Sequence, residues 1–208
     1  MNGFSKNVFI NYPFDKDYIT LIKPLVFTLI YLEFKPQISK TISSGNIRVT
    51  EIQKLIKISK FSIHDLSRSR PTKENGIPRF NMPFELGLDI GCKYYGGSPF
   101  SKKRFIVLEK TRHYYKKVLS DISGQDIKSH NNNPKILISR IRDWFSDNDG
   151  RKNLPGGSEI WIVYNQFISD LYLKLKDKSY SDKDIREIPI GDFIKFARIW
   201  IRTFKLNM

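Results

Sequence analysis

Four short apolar runs, separated by segments of helical period, constrain the fold of this chain more than any other feature. Asn7-Val8-Phe9-Ile10, Phe34 to Lys40, Phe61-Ser62-Ile63 and Arg104 to Leu108 are β-prone and too short for helices. Between the first two, Ile22, Leu25, Val26, Leu29 and Ile30 recur at helical spacing and predict a helix over residues 17–33. Pro24 lies inside that span and predicts a kink or a separate first turn. The polar stretch Thr41 to Asn46 reads as a loop, and Ile52, Leu55, Ile56 and Ser59 predict a second helix over 48–59. A third helix is predicted from Asn81 to Tyr95, with Asn81 as its N-cap, Pro83 in its first turn and Gly96-Gly97 as its stop.

Strands that alternate with helices form parallel sheets with right-handed crossovers. The fold class predicted is therefore α/β, a flavodoxin-like doubly wound parallel sheet of about five strands. After Leu108 the pattern loosens. Tyr114 to Leu119 reads as a short helix and Ile122 to Ile127 as a short fifth strand. Asn131 to Asn133 followed by Pro134 opens a helix carrying Leu137, Ile141, Trp144 and Phe145 on one face. The run Asp147 to Gly157 (DNDGRKNLPGG) is the strongest linker signal. Beyond it lie two amphipathic stripes, Ile160, Val163, Tyr164, Phe167, Ile168, Leu171 and Leu175, then Phe193, Phe196, Ala197, Trp200 and Phe204. The division expected is an α/β domain over 1–147, a linker over 148–157 and a helical extension over 158–208.

Composition excludes some classes of function. The chain has 208 residues and a net charge of +15, but its Lys and Arg are spread along the whole length. Attraction to polyanions at low salt is expected, and a dedicated nucleic-acid site is not. The single cysteine, Cys92, rules out an internal disulfide and fits a reducing compartment. No basic-then-apolar leader opens the sequence, and the longest apolar run, Leu25 to Leu32, is short and interrupted by Thr28. A cytoplasmic protein without a membrane span is expected. There is no Gly-Lys-Ser/Thr phosphate loop, no G-x-G-x-x-G after the first strand and no Gly-x-Ser-x-Gly elbow. His64, His113 and His130 lack partners at metal-ligand spacing, so no metal site is predicted.

The candidate site is the strand–loop–helix unit from Phe61 to Tyr95. Its strand ends in His64, Asp65, Ser67 and Arg68, and its helix carries Glu85 near the N-terminus. In open α/β sheets, ligands bind at the carboxyl ends of the strands, and a helix N-terminus favours negative charge. Asn11, Asp15 and Asp17 follow the first strand and are expected at the same edge. Phe84, Leu86, Leu88 and Ile90 predict apolar surroundings for Glu85, which would strengthen its effect on a cation. Arg48, Arg68 and Arg79 are candidates for pairing with a phosphate. Cys92 reads as a core residue rather than a nucleophile.

These segments resemble a known family. Val8-Phe9-Ile10-Asn11-Tyr12, followed by Phe14, Asp15 and Asp17, resembles the first box of TIR (Toll/interleukin-1 receptor) domains, with Asn11 in place of the usual serine. Asn81 to Tyr95, containing Pro-Phe-Glu-Leu-Gly, resembles the Glu-Leu-Gly helix of nucleoside 2-deoxyribosyltransferases and related TIR-like bacterial proteins. Together with His64-Asp65-Leu66-Ser67-Arg68, the match is to a bacterial TIR-like group associated with antiviral defence. It covers residues 7 to 146 and lacks the Trp-Cys dipeptide that often precedes the glutamate in TIR NADases.

The resemblance implies Glu85 as the catalytic carboxylate. It also implies substrate-binding roles for Asn11, Tyr12, Phe14, Asp15, His64, Asp65, Ser67, Arg68, Asn81 and Met82. NAD would be the substrate, with no separate cofactor, and the activity NAD glycohydrolysis or cyclisation of the ADP-ribose product. Homo-oligomers through the TIR-like domain or the C-terminal helices are implied as well. Two alternatives share the same residues: a nucleoside or nucleotide N-glycosidase or transferase, and a non-catalytic nucleotide-sensing or self-assembling module.

Overall fold

A computed structural model describes residues 3–39, 48–69, 76–117, 119–122 and 124–207. The expected loop from Thr41 to Asn46 lies outside the described residues. Five strands form one all-parallel sheet: β1 (Asn7–Asn11), β2 (Lys35–Gln37), β3 (Phe61–Asp65), β4 (Arg104–Glu109) and β5 (Asp126–Ser129), in the order β2-β1-β3-β4-β5. That order, with an α-helix in three of the four connections, is the flavodoxin-like doubly wound topology. The helices are α1 (Ile19–Tyr31), α2 (Arg48–Lys57), α3 (Asn81–Tyr95), α4 (Pro134–Asn148), α5 (Gly157–Lys176), α6 (Asp182–Arg186) and α7 (Ile190–Leu206).

The strand burial explains the sequence pattern. Every residue of β1 and of β3 is buried, as expected of central parallel strands covered on both faces. β2 is an edge strand, where Pro36 can be accommodated because one row of backbone groups needs no ladder partner. The register pairs Val8 with Phe61 and Asn11 with His64, then Asp65 with Leu108. The carboxyl ends of β1 and β3 therefore lie side by side at the point where the strand order reverses.

Several details differ from the sequence reading, among them that α2 ends at Lys57 and β2 spans only Lys35–Gln37. Residues 16–18 form a separate 3-10 turn, so α1 starts at Ile19 and runs through Pro24. The fifth strand lies at 126–129 rather than 122–127, because residues 120–122 take a 3-10 turn. Ile122 and Ile127 both pack on the cluster of Leu66, Met82, Leu86, Phe105 and Val107, which is why they read as one apolar segment. The C-terminal region contains a short third helix, α6, fixed by a reciprocal Ser181–Asp184 capping box.

The described residues fall into two compact units that cut across the linear division at 147 and 158. One comprises Met1–Tyr18 and Phe34–Asn132; the other comprises Ile19–Glu33 and Asn133–Met208. In the first, α2 packs on α3, and Ile52 and Ile56 meet Phe9, Leu88 and Cys92. In the second, α1 packs on α4, α5 and α7. Phe27 stacks on Phe167 at 5.2 Å, and Phe167 meets Phe193 and Trp200 at 5.5 Å each. The buried stripe of α7 is Phe193, Ala197 and Ile201, with Phe196, Trp200 and Phe204 only partly covered. Among the described residues no helix is long and apolar enough to cross a membrane.

Phe167 is the hub of the second unit's aromatic core. Phe167→Ala is expected to destabilise the protein by about 3–5 kcal/mol, read as a shift of the denaturant midpoint at unchanged slope.

Candidate active site

One chain of buried polar contacts fixes the sheet edge. Asn11 ends β1, and its Nδ2 donates to the carbonyl of Met82 at 2.9 Å and to His64 Nδ1 at 3.1 Å. Because Nδ1 accepts, the ring proton of His64 sits on Nε2, which donates to Asp89 Oδ2 at 3.0 Å. The other Asp89 oxygen pairs with Lys103 Nζ at 3.1 Å, and that ammonium donates to the carbonyls of Ile56 at 2.8 Å and of Ser59. Lys103 thereby answers carbonyls at and just beyond the C-terminus of α2 as well as a buried carboxylate. Burial opposes ionisation of Asp89, yet the hydrogen bond from His64 and the charge of Lys103 prevail and hold its pKa below the usual range.

A second buried cluster surrounds Asp65 at the end of β3. Its Oδ1 accepts the Ser67 backbone N–H at 2.8 Å, and its Oδ2 accepts from Tyr18 and from His130 Nε2 at 3.0 Å. Burial works against the Asp65 anion, but His130, Ser67 and Tyr18 outweigh it and keep the pKa low. Ser67 Oγ also lies 3.0 Å from His130 Nε2. This is no nucleophile–base–acid relay. His130 Nδ1 accepts the Asn132 N–H at 3.0 Å, so Nε2 bears the proton and has no lone pair for Ser67.

Glu85 stands apart from both clusters. It is 5% exposed, on the core-facing stripe of α3 with Met82, Leu86 and Asp89. Among the described residues the cation paired with it is the Arg48 guanidinium, with Nη2 4.0 Å from Oε1. Burial raises its pKa from 4.5 to about 7, and Arg48 pulls in the opposite direction. Arg48 lies over the ring of Phe14, 5.0 Å from its centroid, and Phe14 packs at 4.6 Å on Tyr12. Burial pushes the Tyr12 hydroxyl up to about 12, against the influence of Arg48. A buried carboxyl, a half-exposed guanidinium and two aromatic rings thus form one cluster at the end of β1.

The other sequence candidates are distributed as follows. Asp15 accepts from Arg68 Nε at 2.7 Å and from Arg79 Nη2, so it is held in a double ion pair. His64 and Asp65 are fully buried, with every side-chain polar atom hydrogen-bonded inside the protein. Several expectations are corrected. The Met82 side chain belongs to the core, and its carbonyl is taken by Asn11. Asn81 is exposed and is the first helical residue; the N-cap is Phe80, and no side chain caps the helix. Glu85 falls in the second turn of α3, so the helix terminus is not what surrounds it. Phe84 is 53% exposed and gives Glu85 no apolar cover. Cys92 is half-buried against Phe9, Ile52 and Ile56, and burial raises its thiol pKa, which suits a packing role.

The sequence reading missed Asp89, Lys103, His130 and Tyr18. Asp89 had a legible signal: positions 82, 85, 86 and 89 share one helix face, so an acid at 89 must be buried and paired. His130 had none, since it meets Asp65 across 65 residues of sequence. Among the described residues no group of three or more His, Cys, Asp or Glu is placed to hold a metal ion. No family model, curated protein or solved structure matches the chain.

Two stability outcomes follow. Asp89→Ala leaves Lys103 buried without its carboxylate and is expected to cost about 3–5 kcal/mol, whereas Asp89→Leu combined with Lys103→Met is expected to recover most of that loss in urea titrations. The Glu85 pKa is raised on folding, so its ionisation opposes folding increasingly as pH rises from 4.5 to about 7. Glu85→Gln is expected to be more stable than wild type by on the order of 2 kcal/mol at pH 8. That advantage should vanish at acid pH, where wild type is protonated in both states.

Proposed function

We propose that this chain cleaves the N-glycosidic bond between nicotinamide and ribose in NAD, with Glu85 as the catalytic carboxylate. The single observation that carries the reading is Glu85 itself. It is a buried carboxyl with a raised pKa, its neighbouring guanidinium, Arg48, lying over the ring of Phe14, near the switch point of a parallel sheet. The family resemblance, which places the catalytic glutamate of TIR-like enzymes on this helix, supports the same assignment.

The chemistry suits one carboxylate. As the glycosidic bond breaks, positive charge develops on the ribosyl carbon, and a nearby anion stabilises it or captures it covalently. The pyridinium of NAD is already cationic and departs as neutral nicotinamide, so no general acid is required. Burial that raises the pKa of Glu85 also leaves its anion poorly solvated and strongly attracted to a cation. Arg48 and Phe14 mark where such a cation fits: the guanidinium already lies near the carboxylate and on the ring face. In this reading the substrate cation displaces Arg48. Asn11 Oδ1, buried and without a hydrogen-bond partner among the described residues, is the acceptor assigned to a ribose hydroxyl.

The pH dependence follows from the raised pKa. Glu85 acts as the anion and the pyridinium does not titrate. Initial rates of NAD cleavage are therefore expected to give kcat/KM that rises with pH through about 7 and then levels. The limb for kcat should lie lower, because bound cation favours the ionised carboxylate. Glu85→Gln is expected to lower kcat by about a hundredfold or more, and turnover equal to wild type would remove Glu85 from the mechanism.

A further inference from the structure

Beside the Glu85 cluster lies a cavity of about 510 Å³ whose polar wall is unusual. Arg68 and Arg79 both line it, and both bind the same carboxylate, Asp15. Arg68 uses its Nε and Arg79 one Nη for this contact, which leaves the other N–H groups of each fork without a partner in the described residues. Two guanidiniums against one carboxylate carry a surplus positive charge, and the wall also holds one further cation, Lys16, and one further acid, Asp17. The Arg68 side chain is 17% exposed and that of Asp15 20%, so this ion pair is held against the protein, while Arg79 closes the pair from a half-exposed position. The backbone braces it, since the Arg79 N–H donates to the Arg68 carbonyl at 3.0 Å.

Phe14 joins the cavity to Glu85. It lines the cavity with Ile77, and its ring face lies under Arg48, which reaches the carboxylate. A ligand with its sugar at Glu85 and its anionic portion one aromatic ring away would span both places. We propose that the Arg68–Arg79 pair is the subsite for the diphosphate of the substrate, so that Glu85 acts on a phosphorylated nucleotide and not on a free nucleoside. Asp15 fixes the spacing of the two forks, and each fork keeps N–H groups for bidentate phosphate binding. This rests on the glycosidase reading of Glu85 but makes a separate claim about binding.

The test is calorimetric titration of the full chain with inorganic pyrophosphate at fixed ionic strength, alongside steady-state kinetics with NAD. Saturable binding is expected for wild type and for Glu85→Gln. Arg68→Gln and Arg79→Gln are each expected to weaken it about tenfold and to raise the KM for NAD more than they lower kcat. Lys116→Gln removes one charge from an exposed position elsewhere and should leave binding unchanged. Should Arg68→Gln fail to fold, Arg79→Gln, on the more exposed arginine, carries the comparison. No saturable binding, or equal weakening by Lys116→Gln, would overturn the subsite in favour of general attraction to a basic surface. Arginine-dependent binding without NAD cleavage would sink the glycosidase reading and keep the subsite. NAD cleavage with pyrophosphate binding and KM indifferent to both arginines would do the reverse.

Discussion

The buried ion pair between Asp89 and Lys103 is the constraint on which the sheet edge depends. Neither charge tolerates burial alone, so each dictates where its neighbours must be. Lys103 needs acceptors and takes them from α2 at Ile56 and from Ser59 just beyond it. Asp89 needs donors and takes one from His64, whose other nitrogen then needs the amide of Asn11. Asn11 in turn reaches the Met82 carbonyl in the first turn of α3. Six contacts thus tie β1, β3, the start of β4, α2 and both ends of one α3 segment into a single rigid frame.

Glu85 lies inside that segment, one turn before Asp89 on the same helix face, and its situation is the opposite one. Asp89 is surrounded by donors and its anion is favoured; Glu85 has one distant guanidinium and its anion is disfavoured. The same burial thus yields two carboxyls of different character, because hydrogen bonds rather than depth decide the sign of the shift. The frame holds Glu85 in place without supplying it a hydrogen-bond donor among the described residues.

Much of the fold was legible because parallel α/β chains write their elements into local pattern. The span of α3 was read from Asn81 to Tyr95, and β3 from its apolar run. The fifth strand was misplaced because Ile122 and Ile127 serve the same core from different elements. In the site, Glu85 was legible from its place after β3. His64 and Asp65 were legible as polar strand ends, but their internal partners Asp89 and His130 were not, because sequence does not show whether a polar group is satisfied from within. The roles of His130, Lys103 and Tyr18 depend on partners 47 to 65 residues away, or on a neighbouring helix end, and leave no local trace.

The amino-acid sequence by itself determined the strand and helix alternation, and hence the parallel sheet, since hydrophobic period and chain connectivity are local properties. It also determined that α3 carries two acids on its apolar stripe. Only the tertiary structure decided which acid is paired and which is left nearly unpaired, and that α1 and α4 share a core with the C-terminal helices. The reason is that the energy of a buried charge is set by groups within a few ångströms of it, and folding draws those groups from distant parts of the chain.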